Sequence, residues 1–133
     1  LTYRGMMFTG VPNLVWVFGY FRASWTLRVD LMGDFVARLL AHMKAKGVKK
    51  VMVDPGEAAA TMVRGPWIDP DNFNPGYLMR DMDKMPKCGD SPEWRHTQDY
   101  WTERAEIPTI DLDGPVFSYD DQKAKARAVE AAE

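Results

Sequence analysis

Chemistry requires particular side chains at particular spacings, and few stretches of this chain supply them. The foremost is "GYFRASWTL", Gly19 to Leu27, a glycine turn that leads from an apolar run into a helical pattern. A helix start offers backbone amides with no intrahelical partner together with the positive end of the helix dipole. Such an end attracts a phosphate, a carboxylate or another electron-rich group. A helix must also begin somewhere, and the residues alone leave both readings open.

Other reactive residue types fall short of a site. "GMMFTGVP", Gly5 to Pro12, has the glycine spacing of a phosphate loop but lacks the Lys-Ser/Thr that grips the phosphate, so it reads as a strand and a turn. No Gly-x-Gly occurs, so no dinucleotide fingerprint starts in this chain. Glu93 and His96 have the i, i+3 spacing used in some metal sites, but a second such pair is missing. His42 and His96 therefore read as surface or partly packed histidines. Asp111-Leu112-Asp113-Gly114 opens like a calcium loop without its downstream Glu and reads as a turn. Cys88 has no base placed beside it by sequence and reads as non-catalytic. Met6, Met7, Met79, Met82 and Met85 suit packing, with the lining of a ligand pocket as the alternative use.

These residues need elements to hold them. Residues 6–18 read as two extended segments around the turn Gly10-Val11-Pro12-Asn13, where Pro12 pushes Val11 out of the helical region. Residues 14–18 are a continuous apolar run, which predicts a strand buried on both faces, as in a parallel sheet. Residues 24–46 predict the main helix: Leu27, Leu31, Phe35, Leu39 and Met43 form a stripe that Val36 and Leu40 widen, with Arg28, Asp34, Arg38 and Lys44 off it. Ser24 is the expected N-cap, Gly47 the left-handed stop, and Lys44 and Lys46 suit the negative end of the dipole. Residues 48–53 predict a further strand. Beyond residue 54 Pro and Gly recur without a sustained period, short helices are expected at 76–85 and 93–105, and 120–133 has helix propensity with little apolar face.

The balance of the composition limits the function classes. Lys and Arg total 17 against 19 Asp and Glu, a net charge of -2 that argues against a dedicated nucleic-acid binder. A single cysteine forbids an internal disulfide and makes a reduced, cytoplasmic setting the expectation. No run approaches the roughly 20 apolar residues that span a bilayer, and nothing near Leu1 has the layout of a signal peptide. There is no strong membrane signal, and the chain is expected to begin inside a longer protein.

Tyr3 to Met43, "YRGMMFTGVPNLVWVFGYFRASWTLRVDLMGDFVARLLAHM", resembles the C-terminal part of class B flavin-dependent monooxygenases. The similarity is to the Baeyer–Villiger monooxygenases of the ethionamide-monooxygenase-like subgroup. There a "GxPN" turn precedes an aromatic strand, "GY..ASWTL" and a helix with Asp, Phe and paired leucines. The similarity continues more loosely from Pro75 to Trp101. It implies an α/β fragment: the last strand or strands of an FAD-binding Rossmann-like domain, one long helix, a short strand and a Pro/Gly-rich C-terminal tail with short helices. Residues 1–54 would complete the FAD-binding domain and 55–133 would form an irregular extension.

The resemblance also implies a reaction: an FAD- and NADPH-dependent enzyme that inserts one oxygen atom from O2 into ketones or sulfides. The two Rossmann fingerprints, the His- and Trp-bearing signature between them and the active-site Arg are absent from this chain. What remains is the helix start, which in the family points at the pyrimidine edge of the flavin. The implied cofactor-binding positions are Gly19, Ser24, Trp25, Thr26 and Leu27, with no catalytic or metal-binding residue. Phe21-Arg22 departs from the small polar pair usual in the subgroup and leaves the substrate open. The implied partners are the remainder of the monooxygenase chain and a small-molecule substrate, with self-association of the fragment. A stand-alone, non-catalytic oligomerising or ligand-binding module derived from such an enzyme is the competing reading.

Overall fold

Residues 1–120 are described by the computed structural model. The periodic stretch becomes α1, Trp25–Lys46, which ends at Gly47. The φ of Gly47 is 68°, and its amide donates back to the carbonyls of Lys44 and Met43, closing the last turn as a C-terminal glycine does. The buried face is Arg28, Met32, Phe35, Leu39 and Met43. The expected stripe holds from Phe35 onward and is rotated before it. Leu27 and Leu31 are only half-buried. Leu40, expected to widen the stripe, is 59% exposed, whereas Arg28, expected off it, is 1% exposed. A carboxylate from a distant element meets Arg28 and removes the main cost of burying its charge.

The strands are short and pair in twos. β1 (Thr2–Tyr3) and β2 (Met7–Phe8) form an antiparallel hairpin. β3 (Val51–Val53) is followed by β4 (Gly65–Pro66), the short helix α2 (Gly76–Arg80), β5 (Lys87–Cys88), α3 (Tyr100–Glu106) and β6 (Phe117–Tyr119). β3 pairs with β6 and β4 with β5, both antiparallel. The helices expected within 76–85 and 93–105 appear as α2, α3 and single 3-10 turns at Met82–Lys84 and Pro92–Trp94. The result is a small α/β unit with few strands. The expectation for 120–133 lies, beyond Asp120, outside the described residues.

Residues 14–18 are not the buried strand that their composition predicts. The segment carries no ladder, and Leu14 and Val17 are exposed. Asn13 explains the departure. Its amide donates to Val51 O, its side-chain nitrogen donates to Lys49 O, and its side-chain oxygen accepts from Val51 N, each at 3.0 Å. One residue at φ 56° therefore occupies the edge of β3 away from β6 at Val51, next to the parallel bridge from Thr9 to Val53. The chain beyond it leaves the sheet, with Trp16 N donating to Met6 O at 2.7 Å. The apolar run is spent on aromatic stacking rather than on strand pairing.

Two apolar clusters organise the molecule. The main core packs Met6, Met7 and the α1 face against Trp94, Ile107, Phe117 and Tyr119. A second cluster centres on Trp67, Ile68 and Cys88, with Trp16, Phe18, Phe21 and Phe73 against it. The turn into α1 lies between them. Among the described residues no helix is long and apolar enough to cross a membrane.

Candidate functional site

Ser24 stands at the N-cap with extended backbone, φ -61° and ψ 130°, but its side chain does not cap. Its Oγ pairs instead with Thr26 Oγ1 at 2.8 Å, which corrects the expected capping hydroxyl. The Leu27 amide donates to Ser24 O at 3.3 Å. That leaves Trp25 and Thr26 as the first-turn amides without a partner among the described residues. No acidic side chain sits in this turn to offset the positive dipole end. Ser24 and Thr26 are exposed, and Trp25 is 51% exposed. Of the five expected positions Ser24, Trp25 and Thr26 are exposed, Leu27 is half-buried, and Gly19 is buried beneath the Trp25 ring.

Gly19 is required by the ring of Trp25. A Cβ at Gly19 would collide with Trp25 Cγ and Cδ2, so the indole lies directly on this backbone. The aromatic wall continues from Trp25 to Phe18 at 5.3 Å and from Phe18 to Trp67 at 4.6 Å. Phe21 stacks on Phe73 at 4.1 Å with an interplanar angle of 18°. Arg22, the departure in the motif, is exposed and donates to Asn72 O. Phe21, Arg22, Phe73, His96 and Gln98 border a cavity of about 170 Å³ beside the turn.

Behind this surface lies a polar layer that sequence reasoning missed. Arg28 Nε and Nη2 donate to Glu103 at 2.9 and 3.2 Å, Nη1 donates to Phe18 O at 2.6 Å, and Nη2 to Arg4 O at 2.7 Å. Tyr20 donates its hydroxyl to Glu103 at 2.6 Å. Burial first, and then the Glu103 carboxylate, push the Tyr20 phenol far above its usual range. Gln98 accepts from Phe21 N at 2.8 Å and donates to Gly19 O at 3.1 Å. The one local signal was an arginine in register with Met32, Phe35 and Leu39 on the buried face.

His96 extends this layer. Its Nε2 is 2.7 Å from Trp67 O, a group that only accepts, so Nε2 carries the proton and Nδ1 accepts from Gln98 at 3.3 Å. Burial holds its pKa down at about 4, against the opposing pull of the Trp67 carbonyl. Gly5 makes the packing possible: its φ is 64°, and a Cβ there would lie 2.8 Å from His96 Cβ.

The remaining candidates resolve as structural. Cys88 is buried with Sγ 3.5 Å from Trp67 O, and burial raises its pKa, which disfavours the thiolate. Asp111 and Asp113 form a turn in which Asp113 N donates to Asp111 Oδ1, and Asp113 pairs with Lys46 and His42. Among the described residues no cluster of three His, Cys, Asp or Glu could hold a metal.

The arrangement combines two unpaired first-turn amides, an indole beside them and no acidic side chain in the turn itself, while Asp69 borders the adjoining cavity. Sequence comparison gives the chemistry a context. The chain is 43% identical over 102 residues to the FAD-containing monooxygenase EthA of Mycolicibacterium smegmatis, covering 76% of this chain and 20% of that protein. It is 37% identical over 100 residues to the putative FAD-containing monooxygenase MymA of Mycobacterium tuberculosis, covering 75% and 19%. It is 32% identical over 121 residues to the probable FAD-binding monooxygenase AlmA of an Acinetobacter species, covering 90% and 23%. The chain spans about a fifth of the length of these curated relatives. No protein-family model and no solved structure matches it.

Proposed function

Because this chain is a relative of the EthA-like flavin monooxygenases, matching a segment of them, we propose that it forms part of an FAD- and NADPH-dependent enzyme inserting one oxygen atom from O2 into a ketone or sulfide. In this reading residues 1–54 complete the FAD-binding domain and 55–133 form its C-terminal extension, in a cytoplasmic enzyme. The observation that carries it is the first turn of α1, with the amides of Trp25 and Thr26 unpartnered and no acid beside them. These residues fit the pyrimidine edge of a flavin.

Bound FAD, reduced by NADPH, would supply the oxygen chemistry: one atom of O2 goes to the substrate and the other leaves as water. The part played by this chain is electrostatic. The Trp25 and Thr26 amides would hold the negative charge that gathers at the flavin edge on reduction, in a position fixed before reaction. Trp25, seated on Gly19, would form the wall beside the ring, and the aromatic layer behind it would keep water out. Leu14, Val36 and Leu40 line an apolar groove with Met7 and Met43. That groove suits contact with the rest of the enzyme, and in the isolated chain it favours self-association.

The test is Thr26→Pro in the full-length, FAD-loaded protein. Proline is tolerated in the first turn of a helix and deletes the amide. Loss of one donor to a developing charge slows a reaction about 100-fold or more. The flavin midpoint potential should fall and reduction by NADPH should slow accordingly. An unchanged potential in a folded, FAD-loaded variant would reduce this helix start to a structural feature.

A further inference from the structure

We infer that Gln98, Glu103 and Arg28 are positioning residues for the flavin-facing start of α1, so that the segment 98–103 tunes the cofactor site through the turn that leads into the helix. This inference rests on the function proposed above. Its ground is the turn Phe18–Phe21, which delivers the chain into α1. Four successive residues of that turn are each held by a side chain of this set. Phe18 O accepts from Arg28, Gly19 O accepts from Gln98, Tyr20 donates to Glu103, and Phe21 N donates to Gln98. Arg28 stands one turn inside α1 and clasps Glu103 of α3 through two of its nitrogens. The helix start is therefore fixed from the turn before it and from the turn after it.

Stability alone is a poor account of this layer. A buried ion pair loses much of its Coulomb gain to desolvation, and an apolar pair of the same shape often stabilises as well or better. What the guanidinium fork adds is a single permitted geometry, because its donors and the carboxylate oxygens engage in one orientation. Gln98 carries a further cost. Its φ of 55° is unusual for a residue other than glycine, yet both ends of its amide are committed to the turn. Amides aimed at developing charge are effective only when held within about 0.5 Å of the productive position. The contribution of the Trp25 and Thr26 amides thus depends on residues about 75 positions further along the chain.

Two variants of the full-length enzyme test this. Gln98→Gly keeps the left-handed backbone without strain and removes both contacts to the turn. Tyr20→Phe removes one hydroxyl and leaves the Arg28–Glu103 pair intact. Both should bind FAD at the parental stoichiometry, show a lowered midpoint potential and an altered visible flavin spectrum, and be reduced more slowly by NADPH. The slowing should be about tenfold for Gln98→Gly. A folded, FAD-loaded Gln98→Gly enzyme with parental potential and spectrum overturns the inference; if that variant does not load FAD, Tyr20→Phe decides by the same readout. Thr26→Pro separates the two levels. A shift in Thr26→Pro without one in Gln98→Gly refutes the positioning role alone, and a parent protein that binds no FAD refutes both.

Discussion

A neutral imidazole donates through one nitrogen and accepts through the other, and His96 uses both, toward Trp67 O and Gln98. That neutrality gives folding a pH dependence with a definite sign. The folded ring takes a proton only below about 4, whereas in the unfolded chain it does so below the ordinary 6.5. As pH falls through that window the unfolded state gains protons first, so stability declines between pH 6.5 and 4 and this loss stops below 4. The total is on the order of 3 kcal/mol. Thermal melts from pH 7 to 4 should show a steeper decline for the parent than for His96→Gln, and parallel curves would refute the assignment. The sequence left His96 as a partly packed histidine, which it is. It could not reveal the partners, because Trp67 lies 29 residues away. Arg28 was misplaced for the same reason: a local pattern sees a charge on a helix, and only the fold supplies Glu103.

At the scale of elements, the helix was legible and the sheet was not. A helix is specified by neighbours three and four residues apart, so α1, its glycine stop and its basic last turn follow from the sequence. A strand is specified by its ladder partner, which an apolar run does not name. Residues 14–18 have strand composition, but Asn13 takes the available edge of β3 with its own side chain. The helix start stands out as a candidate only through its resemblance to flavin enzymes, while the layer behind it had no motif to betray it. Asn13 gives a direct test of this account. Asn13→Gly should destabilise the chain by about 1–2 kcal/mol, through lost hydrogen bonds and an orphaned Val51 amide. Asn13→Ala should cost about 1 kcal/mol more, because alanine pays to adopt the left-handed backbone. Urea unfolding of both variants measures the difference, and equal values would rule out the backbone contribution.

For the molecule as a whole, one surface would meet a cofactor and another is apolar and uncovered. In the proposed role the described residues of the chain would offer a flavin a helix start and an aromatic wall, so FAD titration of the 133-residue chain followed by flavin fluorescence should show weak or no binding. Submicromolar, stoichiometric binding would mean that the chain holds a fuller site than these contacts describe. Leu14 and Leu40 in the exposed groove should drive association, and light scattering of a dilute sample should report a dimer or larger species. A clean monomer would show that the groove is tolerated by water. The Arg28–Glu103 clasp also has a temporal consequence. Its two halves are 75 residues apart in the chain. At synthesis rates of about 5–20 residues per second, α1 leaves the ribosome about 4–15 s before the carboxylate that orients its first turn. The helix can coil as soon as it emerges, but in the proposed role its first turn is not held in place until α3 has been made, so the edge it would offer a cofactor is completed by a segment that makes no contact with it.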